Sequence, residues 1–404
     1  MVAPKLRFKE FDEDWKLSTL SDISEIITGS TPSTSKSEYY DGNFLFVSPA
    51  DIQENRYVEA TKTTLTKEGF RKCRQIPNNS ILFVCIGSTI GKIAQNKEIC
   101  ATNQQINAVV PNENHISDFL YLALDRIAPS IKLTAGIQAI PLINKTQFGK
   151  TTLSTPIFEE QTKIATFLSA VDEKIAQLSQ KLHLLGQYKQ GMMQQLFSQK
   201  IRFKADDGSD FGEWEEKELK DVADVKGGKR IPKGFSLVSE NTGHPYITVS
   251  DMNRSYGIDD TNIRYVPLEV VDVIKRYTIT DNDIFISVAG TLGIIGKIPP
   301  EFNGANLTEN ADKLTNLKCH QNFLIYLLDS GYLSELIEST ATTSAQPKLA
   351  LYAIEQLEVN LPCLEEQTKI ADFLSTIDQK MDVVSEQLKQ AKTWKKGLLQ
   401  QMFV

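Results

Sequence analysis

The chain has 404 residues, 41% of them hydrophobic and 24% charged, with a formal charge of −7. This is ordinary globular composition, and the length suits two to three domains that each bury a core. The longest apolar run, Ile81 to Ile86, is far too short to cross a bilayer, and MVAPKLRFKEFDEDW lacks the apolar stretch of a secretory signal, so a cytoplasmic protein is expected. The negative balance argues against a coat that binds nucleic acid by wholesale phosphate neutralisation, while leaving room for a reader with local basic patches.

The predicted elements, taken in order, come round twice. Residues 1–155 read as a mixed α/β module, with short strands at FLFVS and SILFVCI and a helix at FLYLALDRI. Residues 156–199 then read as helix, carrying EEQTKIATFLSAVDEKI from Glu159. A second module follows over 200–361, with a strand at DIFISVAG and a helix at FLIYLLDSGYLSELI. Residues 362–404 close with EEQTKIADFLSTIDQKM from Glu365. Lys5, Arg7, Phe8 and Trp15 correspond to Lys200, Arg202, Phe203 and Trp214. FVSPADI parallels ITVSDM, and IPNNSILFVCIGSTIGKI parallels ITDNDIFISVAGTLGIIGKI. The modules keep only such scattered anchors, whereas about half the positions of the helices are identical. One part has been held constant and the other has diverged.

In the constant helices apolar residues recur at alternating steps of four and three. The first carries Ile164, Leu168, Val171, Ile175, Leu178 and Leu182, and the second Ile370, Leu374, Ile377, Met381, Val384 and Leu388. This is an a/d heptad seam, with Pro156 and Pro362 just ahead of each helix. A helix of roughly 38 residues, about 57 Å long, cannot bury such a stripe alone. Its near-twin is the obvious partner; its own domain or another subunit would also serve. An entire domain joins the two helices, so the sequence leaves parallel and antiparallel pairing open. The fold class is α+β: two mixed α/β modules forming an internal repeat, separated by two long helices.

Catalytic chemistry is hard to find. GSTIGK, from Gly87 to Lys92, is one residue short of a P-loop and has Ile93 where magnesium would need a hydroxyl. It reads better as a glycine-punctuated turn between strands. No GxGxxG opens a helix, and neither HExxH nor GxSxG occurs. Glu159-Glu160 and Glu365-Glu366 sit at helix starts, where they suit the positive end of the dipole. Cys73, Cys85, Cys100, Cys319 and Cys363 are scattered and never spaced as CxxC, and Cys319-His320 is a poor chelating pair, so no metal site is expected. Free thiols fit a reducing compartment. No catalytic residue is assigned.

The loops are better supplied for DNA, since Arg and Lys suit phosphates and guanine edges while Asn and Gln suit adenine. In the first half the candidates are Ser30, Thr31, Ser33, Lys36 and Tyr39 of TGSTPSTSKSEYY, then Arg71, Lys72 and Arg74 of RKCR. Lys92 of GSTIGK follows, with Asn103 and Gln104 of TNQQIN. In the second they are Lys226, Lys229, Arg230 and Lys233 of KGGKRIPKG, then Asn253, Arg254 and Tyr256 of SDMNRSY, with Lys275, Arg276 and Lys297.

A module with TGSTP and GSTIGK, a helix headed TPIFEEQTKI, and then the whole again with LPCLEEQTKI resembles the specificity subunit of type I restriction-modification systems. The resemblance covers essentially the whole chain, though KGGKRIPKG departs from the GSTP form of the first half. It implies that residues 1–155 and 200–361 are target recognition domains related by a pseudo-two-fold repeat, each reading half of a split sequence in double-stranded DNA. It implies that the helices pair as an antiparallel coiled coil, set the spacer and dock the modification subunits, a pair of them. S-adenosylmethionine, ATP and Mg2+ would then be held by the modification and restriction subunits, and none by this chain. Two other readings are a non-DNA coiled-coil scaffold and an enzyme fused to a DNA reader.

Overall fold

The computed structural model describes residues 3–53, 55–135, 141–341 and 348–404. Each module is closed at its base by a two-stranded antiparallel ribbon. Lys16–Thr19 pairs with Thr152–Thr155 in the first, and Glu215–Glu218 with Glu358–Leu361 in the second. The chain therefore enters and leaves each module at one place, and the leaving strand runs directly into a long helix.

The interiors share one plan. In the first module Ser24–Thr28, Ile106–Pro111, Ile81–Val84, Ile93–Asn96 and Tyr57–Val58 lie side by side in that order. In the second, Asp224–Gly227, Ala311–Thr315, Ile284–Ser287 and Ile295–Gly296 repeat the first four places. A further four-stranded sheet in each module contains one parallel pair, Phe46 beside Ala101 in the first and Tyr246 beside Asn306 in the second. Ile81–Val84 and Ile284–Ser287 are buried throughout. Ile81–Val84 is apolar throughout, and Ile284–Ser287 departs from this only at Ser287, as a strand covered on both faces requires. FLYLALDRI lies within the helix Ser117–Leu133. FLIYLLDSGYLSELI folds as Gln321–Leu327 and Leu333–Ala341, joined through a wider turn over Leu328–Tyr332. The GSTIGK segment is a turn, with Gly87 and Gly91 both at φ +94°, a region that favours glycine.

The long helices span Phe158–Phe197 and Leu364–Met402, roughly 60 Å each at 1.5 Å per residue. By packing, the chain divides into two units: Met1–Gln180 with Ser385–Val404, and Lys181–Val384. Each unit thus holds one module, the early part of that module's own helix, and the late part of the other helix. In the first unit Ile164, Leu168 and Val171 share a core with Trp15 and Phe119, and Leu398, Leu399, Met402 and Phe403 complete it. In the second, Ile370, Leu374 and Ile377 share a core with Phe323, which Met193 and Leu196 complete. Phe167 meets Trp394 with ring centroids 6.1 Å apart, and Tyr188 meets Phe373 at 6.5 Å. Early residues of one helix thus meet late residues of the other in both units, so the pairing is antiparallel.

The seam residues split between two tasks. Ile164, Leu168, Val171, Leu178, Ile370, Leu374, Ile377 and Val384 are buried, while Ile175, Leu182, Met381 and Leu388 are half-buried. Packing on the module and packing on the twin helix are combined, since a knob that faces both gains burial from each.

The carboxylate pairs need a correction. Glu159 is exposed and sits in the first turn, where the dipole favours it. Glu160 has no exposed surface, and Arg7 grips it with two hydrogen bonds of 2.8 and 2.7 Å. Glu366 is equally buried and takes two bonds from Arg202, at 3.0 and 2.7 Å, with a third from Trp214 Nε1. A carboxylate out of water is stable only when paired and fully hydrogen-bonded; these residues lock the module's N-terminal strap onto its helix. Gln161 accepts from the backbone N–H of Ile116 at 2.9 Å and Gln367 from that of His320 at 2.8 Å. Each thereby ties the long helix to the residue that starts the module's own helix. The repeated EEQ spells this joint.

No helix among the described residues is long and apolar enough to cross a membrane.

Candidate nucleic-acid interface

In the first module three of the predicted loops come together. The turn after Thr28 runs against the segment 102–105: Gly29 N–H donates to the Ile106 carbonyl (3.0 Å), Ser30 N–H to the Thr102 carbonyl (2.9 Å), and Thr31 Oγ1 to Gln104 Oε1 (2.8 Å). Arg74 joins them, its backbone N–H donating to Ser30 Oγ and its guanidinium to the Thr28 carbonyl. Asn103 Nδ2 donates to Gln105 Oε1. Gly29 is required here, because a Cβ would overlap the Asn103 carbonyl oxygen and the Thr102 hydroxyl. Ser33, Lys36, Arg71 and Lys72 are exposed.

The second module repeats the frame. Gly228 N–H donates to the Ala311 carbonyl (3.0 Å) and Lys229 N–H to the Leu307 carbonyl (2.8 Å). A Cβ on Gly228 would overlap the Thr308 carbonyl oxygen. Asn103 N–H bonds to the Val47 carbonyl in one module, and Thr308 N–H to the Ile247 carbonyl in the other. In this register Thr31 corresponds to Arg230 and Gln104 to Glu309. Where Thr31 meets Gln104, Arg230 Nε donates to Glu309 Oε1. Burial raises the Glu309 carboxyl, but Arg230, the local backbone N–H and Thr308 together hold it below the usual range. The Tyr246 hydroxyl, pushed up to about 12 by burial, donates to the Lys229 carbonyl and reaches Glu309 Oε2. Lys229 Nζ lies 5.5 Å from the ring of Tyr277, which follows Lys275 and Arg276 in the chain. Lys226 pairs with Asp224 and Lys275 with Asp272; Lys233 and Arg276 are exposed.

Several candidates prove to be structural. Tyr39 is buried against Gly69, so its ring is not available to a base. Lys92 Nζ donates to the Ile52 carbonyl at 2.8 Å, which fastens the GSTIGK turn to a neighbouring loop in place of a phosphate. Asn253 Oδ1 accepts from the backbone of Ser255 and Gly257, and so closes its own loop; Arg254 beside it is exposed, and Lys297 is half-buried. Tyr256 faces the helices: its hydroxyl donates to Asp329 (2.6 Å), and Lys189 Nζ lies 4.3 Å from its ring. Burial and the neighbouring carboxylates push that hydroxyl well above the usual tyrosine range. Loop chemistry alone does not tell a residue that faces DNA from one that faces its own scaffold.

Two groups escaped the sequence reading. One is Glu309, visible only when TNQQ is aligned with LTEN. The other is a charged joint between module and helix. Arg56 binds Asp118 (2.5 Å), Asp172 (3.7 Å) and Ser169 Oγ (3.0 Å), and Lys395 Nζ stands 2.6 Å from the other Asp172 oxygen. Asp125 lies in this cluster, and burial raises its carboxyl against the pull of Lys395. The signal was present: the step along the chain that carries Glu159 to Glu365 also carries Asp172 to Asp378 and Lys189 to Lys395.

Comparison with known proteins agrees with this architecture. A family model described as the type I restriction modification DNA specificity domain matches residues 12–185 and again 212–393. The type I restriction enzyme MjaVIII specificity subunit of Methanocaldococcus jannaschii is 24% identical, covering 96% of this chain and 91% of that one. The putative MjaX specificity subunit of the same organism is 29% identical over 98% and 94%. The crystal structure of a type I restriction-modification system S subunit from M. genitalium shares the fold, with a TM-score of 0.65 at 18% identity, over 100% of this chain and 99% of that one. With two matches that together span most of its length, the chain belongs to the type I restriction modification DNA specificity family.

Proposed function

We propose that each module reads one half of a bipartite target in double-stranded DNA, and that the paired helices carry the two readers and dock the methyltransferase subunits of the complex. The observation that carries this reading is the common backbone frame at Gly29 and Gly228, on which the two modules hang unlike polar side chains. A fixed frame with interchangeable side chains is what two readers of different sequences need, because direct readout depends on the donor and acceptor pattern offered to the base edges. Each correctly read base pair contributes roughly 1–3 kcal/mol of discrimination, so two short half-sites together reach useful specificity.

On this reading the chain contributes recognition and the partner chains contribute chemistry, with S-adenosylmethionine, ATP and Mg2+ held by the modification and restriction subunits. The test is exchange of residues 1–155 for the first module of another family member, followed by mapping of methylated adenines in DNA from cells that supply the partner subunits. One half-site changes and the other persists; a change in both halves refutes modular reading. The protein-only scaffold draws support from the charge of −7 alone.

A further inference from the structure

We infer that Arg230, held by Glu309, is a base-reading residue of the second module and takes a guanine in its half-site, whereas Thr31 and Gln104 occupy the equivalent position in the first module and read a different base. This rests on the reading proposed above and deepens it to named side chains.

The geometry that selects Arg230 is the state of its guanidinium. Nε is spent on Glu309 Oε1, which leaves the two terminal amino groups as a planar fork. That fork matches guanine O6 and N7 in the major groove. Glu309 is itself fixed, half-buried and within reach of the Tyr246 hydroxyl, so the fork is held rather than searching. The Arg230 side chain is 75% exposed, so it extends from the frame into solvent while its anchor does not. In the first module Thr31 Oγ1 donates to Gln104 Oε1. The Gln104 amide nitrogen remains as a donor beside a carbonyl with a second lone pair, a pattern that suits adenine. Backbone bonds within 0.1 Å of one another hold both sites: 3.0 Å at Gly29 and at Gly228, 2.9 Å at Ser30 against 2.8 Å at Lys229. What differs between the modules at this position is the side-chain pair.

The experiment compares full-length protein in complex with its partner subunits, as wild type, as Arg230→Lys, and as Arg230→Thr with Glu309→Gln, by selection from randomised duplex DNA. For the wild type we expect two enriched blocks, one of them containing a guanine that the double variant no longer prefers. That preference falls by roughly tenfold to a hundredfold, while the other block is unchanged. Arg230→Lys keeps the charge and loses the fork; it loses the guanine preference too. A lysine variant that retains the preference shows that the planar fork does not read the guanine and overturns the assignment. A double variant that melts like the wild type and selects unchanged blocks also overturns it, with the bipartite reading intact. If the wild type enriches no split sequence, both fail together.

Discussion

Lys189 Nζ and Asp378 Oδ1 meet at 2.6 Å across the two long helices. The lysine is also enclosed by the rings of Tyr256 and Tyr326, at 4.3 and 4.9 Å, and Asp378 accepts the Tyr326 hydroxyl at 2.6 Å. With the lysine 11% and the aspartate 26% exposed, the pair lies between surface bridges, worth under about 1 kcal/mol, and buried ones. Lys189→Met should cost about 2 kcal/mol in chemical denaturation. A double-mutant cycle with Asp378→Asn should return a coupling of about 1–2 kcal/mol. Zero coupling would mean that this pair contributes nothing to holding the helices together.

The two adjacent glutamates at each helix start should behave very differently. Glu159→Gln removes an exposed charge that interacts only with the helix dipole, and about 0.5 kcal/mol should be lost. Glu160→Gln leaves the Arg7 guanidinium, 13% exposed, without its anionic partner, and about 3 kcal/mol should be lost. Equal losses in thermal melts would contradict the assignment of Glu160 to a buried lock.

Gly29→Ala and Gly228→Ala should each damage one reader. The added methyl group must push aside a backbone carbonyl, of Asn103 in one case and Thr308 in the other. The frame then shifts while the module core stays packed. In DNA selections Gly29→Ala should blur the half-site read by the first module and Gly228→Ala the other. Loss of both half-sites from either variant would show that the damage is not local.

Asp312 should give the second module a pH-dependent weakness. Burial pushes its carboxyl up to about 6, against the opposing charge of Lys348. The folded chain therefore holds this proton more tightly than the unfolded chain, so the cost of burying the charge is absent near pH 4, grows as pH rises to 6, and persists above. Asn107 occupies the matching strand position in the first module and accepts the Thr28 hydroxyl there. Asp312→Asn should thus stabilise the protein at pH 7.5 by on the order of 1 kcal/mol, after allowance for solvent screening. The gain should vanish at pH 4, as read from paired melts; a gain of the same size at both pH values would point to packing instead.

What the sequence revealed follows from how locally each feature is encoded. The a/d seam, the buried strand at SILFVCI and the glycine turn at GSTIGK are local patterns, and they appear as read. Antiparallel pairing of the helices is a long-range choice; it entered through the family resemblance, and its physical cause lies in contacts such as Lys395 with Asp172. Glu160 and Tyr256 were misjudged for a common reason. Each looks polar and peripheral in its own segment, and each is satisfied by a residue far along the chain, Arg7 and Asp329. Sequence periodicity carries no information about such partners. Repetition does, and the recurrence of Arg7 as Arg202 beside Glu160 and Glu366 was the available clue.

The assignment of Ser385–Val404 to the first unit bears on the order in which the protein can assemble. Domains ordinarily fold one after another as they leave the ribosome. Here the aromatic floor under Trp15 and Phe119 stays open until Phe403 arrives, with its ring 5.1 Å from that of Phe119. The earliest-made module is thereby among the last to be sealed, and its apolar face stays without its final cover throughout synthesis of the second.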